Sequence, residues 1–394
     1  MDAAYRTAFL DWLACAFAGR RERAARAARG AGDGTLERVA WLGAAGHVLD
    51  FDDTYLPGIA HLSAPTAPAA LALAAELDRP VGDMLAAYAA GFEAMGALAL
   101  ASHPALYDGG WHPTAACGGA GAAVTAGRLL ELDGERAEAA RRLALLGAGG
   151  RLAAFGSDGK SLQVGTAAAT GVLAARAAAG GARAGEVTGG PPVAAAAPDG
   201  GPAIADNWIK PWPCCLLAHG AIEAAAQVRG AAPGGDAFGN GAPGGGAPAG
   251  GGLGDTAAVE VTVHPVARAA AAYDDVADGL QAKFSIPYLV AYTLLRGEPT
   301  PASFDAVDRE ARALAAARVR VRTDPALLES EARLTLDGEL AARVEAARGS
   351  PGRPLTPDQL AGKVRSLAGE RLDGLVDDDA RPARAVLAAL LEEG

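Results

Sequence analysis

Aromatic residues make up only 5% of this 394-residue chain, although half of it is hydrophobic. Alanine and glycine supply the difference, which predicts helices packed closely through small side chains. Lysine is scarcer still. Of 35 basic residues only Lys160, Lys210, Lys283 and Lys363 are lysine, and the rest are arginine. Where arginine is used so freely, a lysine marks a place suited to a compact ammonium rather than a planar fork, unless codon bias alone set the ratio. Cysteine is limited to Cys15, Cys117, Cys214 and Cys215, with no CxxC pair. That composition points to a reduced, cytoplasmic protein without a structural metal. The six histidines form no HxH or HExxH pattern, and the chain has no GxGxxG after a strand, no phosphate-binding loop and no GxSxG elbow. Neither a metal nor a nucleotide cofactor is therefore expected. No basic leader marks a signal peptide, and no run reaches the roughly 20 apolar residues needed to span a bilayer. The net charge of −11 disfavours nucleic acid and anionic membrane surfaces as partners.

What is present is mostly helical patterning. The chain exceeds one ordinary hydrophobic core, so two domains are expected. Apolar residues recur at helical spacing from Ala3 to Ala18, and again over 66–77, 83–101, 115–132, 135–146 and 166–179. No strand-like alternation precedes about residue 185. The segment 230–254 is a Gly/Pro tract that cannot bury enough apolar surface to order itself, and it reads as a flexible loop. Beyond it, AVEVTVHPV, ARVRVRT and ARLTLDG alternate like strands, with a helix expected between them over 282–296. The resulting expectation is a mainly α protein. An all-α helical bundle domain covers 1–209, completed by 355–394, and a smaller inserted α+β lid domain covers 210–354.

Several stretches carry candidate chemistry. HVLDFDDT gathers Asp50, Asp52 and Asp53; Asp50 and Thr54 are four apart and would share one face of a helix, with Asp52 and Asp53 pointing elsewhere. His61 precedes Ser63, a candidate N-cap, so its imidazole would feel the positive end of a helix dipole. Alternatively Asp50 pairs locally and His61 is a surface loop residue. In WHPTAACGGAGAA, His112 stands at a second helix start, and the glycines that follow need a reason such as close helix contact. Two such helix ends facing one cavity would suit a di- or tricarboxylate; a buried histidine bonded to backbone is the competing reading. Lys160 lies in a glycine-punctuated stretch before a small-residue helix, and Lys210 lies between Trp208 and Trp212. Each could be a solvated charge, but the apolar neighbours of Lys210 favour burial beside an anion. Tyr288 sits on an apolar helix, where it is either a core residue or a proton donor.

Taken together, these stretches resemble the MmgE/PrpD family, which includes 2-methylcitrate dehydratase, cis-aconitate decarboxylase and iminodisuccinate epimerase. The resemblance runs in order from LDWLACAFAG through HVLDFDDT, GGWHPTAACGGAGAA, GKSLQVGTAAATGVLAA, IKPWPCCLLAHGAIEAA and AKFSIPYLVA to PLTPDQLAGKV. It implies an all-α domain with an inserted lid, a homodimer, and a cofactor-free site in the cleft between domains. It also implies site roles for Asp50, Thr54, His61, His112, Lys160, Lys210 and Tyr288. Departures occur at Cys214 and Cys215, where several relatives have a histidine; His219 lies one helical turn further on. Gln163 stands where many members have histidine, and the loop from Thr54 to His61 is about one residue longer than in the decarboxylase.

The expected function is a lyase of the dehydratase type acting on a small polycarboxylate by proton abstraction next to a carboxylate. Asp50, His61, His112, Lys210 and Tyr288 would be catalytic, and Thr54 and Lys160 would bind substrate. Decarboxylation or epimerisation of a related carboxylate would use the same charges. A non-catalytic carboxylate-binding member is the alternative from another class.

Overall fold

The computed structural model describes residues 2–194, 201–230 and 258–392. The chain forms two compact units: residues 1–209 with 363–394, and residues 210–362. It is mainly helical, with a smaller strand-containing region inserted among the helices.

Unit 1 opens with α1 (Ala3–Gly19), α2 (Arg23–Arg29) and α3 (Thr35–His47). After a loop come α4 (Ser63–Glu76), α5 (Val81–Ser102), α6 (Ala105–Asp108), α7 (Pro113–Leu129), α8 (Gly134–Leu146) and α9 (Gly159–Ala179). α7 packs against α4, α5, α8 and α9, and α3 packs on α9. The glycines are spent at these crossings. A methyl group at Gly43 of α3 would sit 2.8 Å from the Gly165 Cα of α9, and one at Gly118 of α7 would sit 2.9 Å from the Pro65 ring of α4. Backbones can approach this closely only where no Cβ intervenes.

Helix α5 is the exception to the expected lack of long apolar runs. An 18-residue window within its 22 residues reaches a mean hydropathy of 1.5, enough by length and composition to cross a membrane. Here Tyr88, Phe92 and Met95 on it are fully buried within the bundle. Its Glu93 accepts hydrogen bonds from the Tyr5 hydroxyl and from the backbone of Ala203 and Ile204. Helix α9 begins seven residues before the expected 166, so Lys160 lies in its first turn rather than in a loop. The glycines and polar residues of GKSLQVG read as punctuation, but packing at Gly165 tolerates no side chain and the helix continues through it.

Unit 1 also holds a two-strand ribbon that the sequence does not predict. β1 (Thr54–Tyr55) pairs antiparallel with β2 (Asn207–Trp208). The pairing draws Asn207 to the acidic loop, where its amide donates to Asp53 at 2.8 Å.

In unit 2, α10 (His219–Gly230) precedes β3 (Val259–Val263), α11 (Pro265–Ala270), α12 (Gly279–Ala282), α13 (Ile286–Arg296) and α14 (Arg309–Arg318). β4 (Val319–Thr323), β5 (Ala332–Leu336) and β6 (Glu339–Val344) complete a sheet of order β4-β3-β5-β6. β3 and β4 run parallel and the other neighbours antiparallel. Val259, Val261 and Val263 bury one face, as alternation demands. The helix expected over 282–296 is broken, because Ser285 caps α13 by accepting from the Tyr288 N–H and Pro287 occupies its first turn. β6 lies in a stretch to which the sequence assigns no element. Asp337 and Gly338 both have positive φ and turn β5 back into a hairpin with β6.

The last helices are α15 (Pro357–Ala368), within which the unit boundary falls, and α16 (Ala383–Leu391), which packs on α4. Apart from Gly230, the Gly/Pro tract 230–254 lies outside the described residues. All four cysteines are buried and none is in a disulfide.

Candidate functional site

The acidic loop is not helical. α3 ends at His47, the Asp50 N–H bonds back to the His47 carbonyl at 3.0 Å, and Asp50 takes a left-handed φ of 53°. The helical-face relation expected of Asp50 and Thr54 therefore does not hold, since the chain has left helical geometry between them. This turn is held from behind. Lys363 donates to the Phe51 carbonyl at 2.7 Å, lies 4.0 Å from the Phe51 ring centroid, and pairs with Asp11 at 2.6 Å. At the far end the His61 N–H donates to the Thr114 hydroxyl of α7 at 3.0 Å. Ser63 is the first residue of α4 rather than its N-cap, and its hydroxyl pairs with the Tyr88 hydroxyl.

With the loop so held, five of the expected residues come together: Asp50, Thr54, His61, His112 and Lys160. All are buried. Three helix starts deliver the basic groups. His61 lies just ahead of α4, His112 is the residue that begins α7, and Lys160 is in the first turn of α9. The Lys160 ammonium donates to Asp50 Oδ1 at 3.0 Å, and His61 Nε2 lies 3.6 Å from that same oxygen. The Thr54 hydroxyl is 3.4 Å from His61 Nδ1.

Three further residues join the cluster that helical spacing had not singled out. Asp52 Oδ2 is 2.9 Å from His47 Nδ1 and 3.0 Å from His61 Nδ1. His47 Nε2 takes a hydrogen bond from Lys160 at 2.7 Å. Gln163, one turn along α9 from Lys160, lies 2.7 Å from His112 Nδ1. The rings of His47 and His61 meet edge to face at 4.5 Å, those of His47 and His112 stack at 5.8 Å, and those of His112 and Phe155 lie nearly perpendicular at 5.0 Å. The clustering of HVLDFDD was itself the available signal for His47 and Asp52; the turn at Asp50 obscured it.

Burial and neighbouring charges divide these groups. Burial pushes the His112 imidazole well below its ordinary value of 6.5, and Lys160, His47 and His61 push the same way against Asp50. His47 is likewise lowered, by burial first and then by Lys160, against the pull of Asp52 and Asp50. Burial works to raise Asp52, but His61 and His47 outweigh it and hold this carboxylate well below its usual range. Asp53 goes the other way, to about 8: burial raises it, and Asp52 and Asp11 add to that, while Ser63 and Asn207 oppose. At neutral pH Asp52 is thus the charged member of that adjacent pair.

His47, Asp52 and His61 offer ligand atoms within 4.8 Å of one another, so this trio could hold a metal ion. A metal there would displace the two hydrogen bonds to Asp52 that orient the rings.

Lys210 and Tyr288 belong to unit 2. Lys210 is fully buried and donates to the Cys214 carbonyl at 3.1 Å; His219 Nε2 lies 3.3 Å from that same oxygen. The Tyr288 hydroxyl accepts the Asp308 N–H at 3.0 Å, and burial raises its pKa, so it is protonated at neutral pH. Lys283 is also buried, 5.1 Å from the Phe304 ring centroid.

Comparison with known families gives two matches in sequence order. The MmgE/PrpD N-terminal domain matches residues 38–201, and the MmgE/PrpD C-terminal domain matches residues 212–388. No curated protein sequence matches the chain.

Proposed function

The chain belongs to the MmgE/PrpD family, and on that premise we propose that it is a cofactor-independent lyase of the dehydratase type acting on a small di- or tricarboxylate. The observation that carries this reading is the meeting of His61, His112 and Lys160, each at a helix start, around the buried carboxylate of Asp50. Helix starts present N–H groups and the positive end of the dipole, which favour anions.

A proton next to a carboxylate is hard to remove because negative charge builds on the acid as it leaves. The site must stabilise that enolate-like charge. In this reading Lys160 and Lys210 neutralise substrate carboxylates, while His61 and His112 handle the proton. Tyr288, which retains its proton, supplies the one that departs with the β-hydroxyl as water. Asp50 orients Lys160 and, with Thr54, the ring of His61. Decarboxylation would lose CO2 to the same charged intermediate, and epimerisation would return the proton to the opposite face, so product analysis separates the three.

The test is proton exchange. The protein, dialysed against a chelator, is incubated in deuterated water with citrate-like, aconitate-like and iminodicarboxylate compounds. Deuterium should enter at the carbon beside a carboxylate of at least one compound, and His112→Ala should abolish it. Absence of exchange across the panel, with binding retained, would replace the enzyme reading with that of a carboxylate-binding protein.

A further inference from the structure

The two histidines at helix starts have different partners, and the partners decide which nitrogen of each ring carries the proton. The amide of Gln163 can be oriented from its own contacts. Its Oε1 accepts the Arg151 N–H at 2.9 Å. Its NH2 group therefore faces the Arg151 carbonyl at 3.2 Å and His112 Nδ1 at 2.7 Å. An amide N–H can only donate, so His112 Nδ1 must be the bare acceptor and Nε2 must hold the proton. His61 has the opposite arrangement. Its Nδ1 faces the ionised Asp52 at 3.0 Å, which can only accept, so Nδ1 holds the proton and Nε2 carries the lone pair.

We propose that Gln163 and Asp52 are positioning residues that divide the labour between the two rings, making His61 Nε2 the base and the neutral His112 Nε2–H the hydrogen-bond donor to the developing oxyanion. The proposal rests on the function assigned above and settles which histidine does which task. The bonding changes follow directly. The C–H bond beside the carboxylate breaks and its proton goes to His61 Nε2. The electron pair passes through the carbon to the carboxylate oxygen. His112 donates a hydrogen bond to that oxygen and keeps its own proton.

Neighbouring charges reinforce this division. A proton on His61 creates an imidazolium between Asp52 and Asp50, whose oxygens lie 3.0 and 3.6 Å from its two nitrogens, with Thr54 and the ring of His47 beside it. A proton on His112 Nδ1 would confront the Gln163 amide protons, with Lys160, His47 and His61 adding positive or competing partners and only Asp50 favouring it. Burial and these neighbours hold His112 neutral, as an oxyanion donor must be.

The experiment reads nitrogen protonation directly, by 15N NMR of the full chain labelled at histidine. His61→Gln and His112→Gln identify the two signals. The expected wild-type result is Nδ1 protonated on His61 and Nε2 protonated on His112, with His112 neutral throughout the acid range in which the protein stays folded. Gln163→Glu keeps an acceptor for the Arg151 N–H but offers His112 a carboxylate. It should move the His112 proton to Nδ1 and raise the pH of its titration by about one unit or more. A wild-type His112 protonated at Nδ1, or a pattern unchanged by Gln163→Glu, overturns the proposal. These spectra need no substrate, so they decide the assignment even if the exchange panel is silent.

Discussion

Lys160 and Lys363 are both buried, on either side of the turn at Asp50, yet their neighbours differ. Lys363 is bonded to a carboxylate, a backbone carbonyl and a ring face: Asp11, Phe51 and the Phe51 side chain. The carbonyl and the ring cannot take up a proton near neutral pH, so the contact is a clamp. Lys160 is bonded to Asp50 and to His47, which connects through Asp52 to His61. Those imidazoles can change charge, so its surroundings can adjust as charge arrives. Both lysines touch a carboxylate, but only Lys160 also touches an imidazole, and that difference can be probed.

Removing the clamp should have the larger effect on stability. Lys363→Met leaves Asp11 buried without its ammonium, a loss of about 3–5 kcal/mol, measurable by denaturant unfolding. Adding Asp11→Leu should restore much of it, because an apolar pair of similar volume avoids desolvating either charge. If Lys363→Met were as stable as the parent, the distinction between the two lysines would fail. Lys160→Met should reverse the pattern. Its unfolding midpoint should move little, since a proton on His47 or His61 can meet the charge of Asp50. Deuterium exchange should fall by roughly 100-fold, the scale of losing one electrostatic stabiliser of a transition state.

The smallest effect concerns the neighbouring acid. The pKa of Asp53 is raised to about 8 in the fold from an ordinary 3.8. Its contribution to stability is therefore fully present below 3.8 and is lost as pH rises through 8. Asp53→Asn abolishes that dependence while keeping an acceptor for the Asn207 amide. Relative to the parent, its Tm should be higher by about 2 °C or more at pH 9 than at pH 5. Equal differences at both pH values would show that Asp53 is ionised throughout.

Much of this was legible in the sequence because helical periodicity and strand alternation report burial directly. That suffices for a mainly helical chain with a strand-bearing insert. It also placed His112 at a helix start, where Pro113 supplies the signal. Helical spacing failed at HVLDFDDT. It separates Asp52 from Asp50, whereas the left-handed turn folds both toward the imidazoles. The roles of His47, Asp52 and Gln163 depend on pairings between α3, α9 and loop residues far apart in the chain, which no local pattern encodes. The ribbon of Thr54–Tyr55 with Asn207–Trp208 was hidden for the same reason, as two residues are too short to alternate.

The bare crossing of Gly43 with Gly165 has a mechanical consequence. His47 and Lys160 each extend about one turn from it, so the crossing is the pin of a pair of tongs whose jaws close on a 2.7 Å hydrogen bond. An alanine at either glycine thickens the pin by a methyl group, and leverage carries that increment outward. The jaws should then part, and the ammonium should leave the imidazole although neither has been altered.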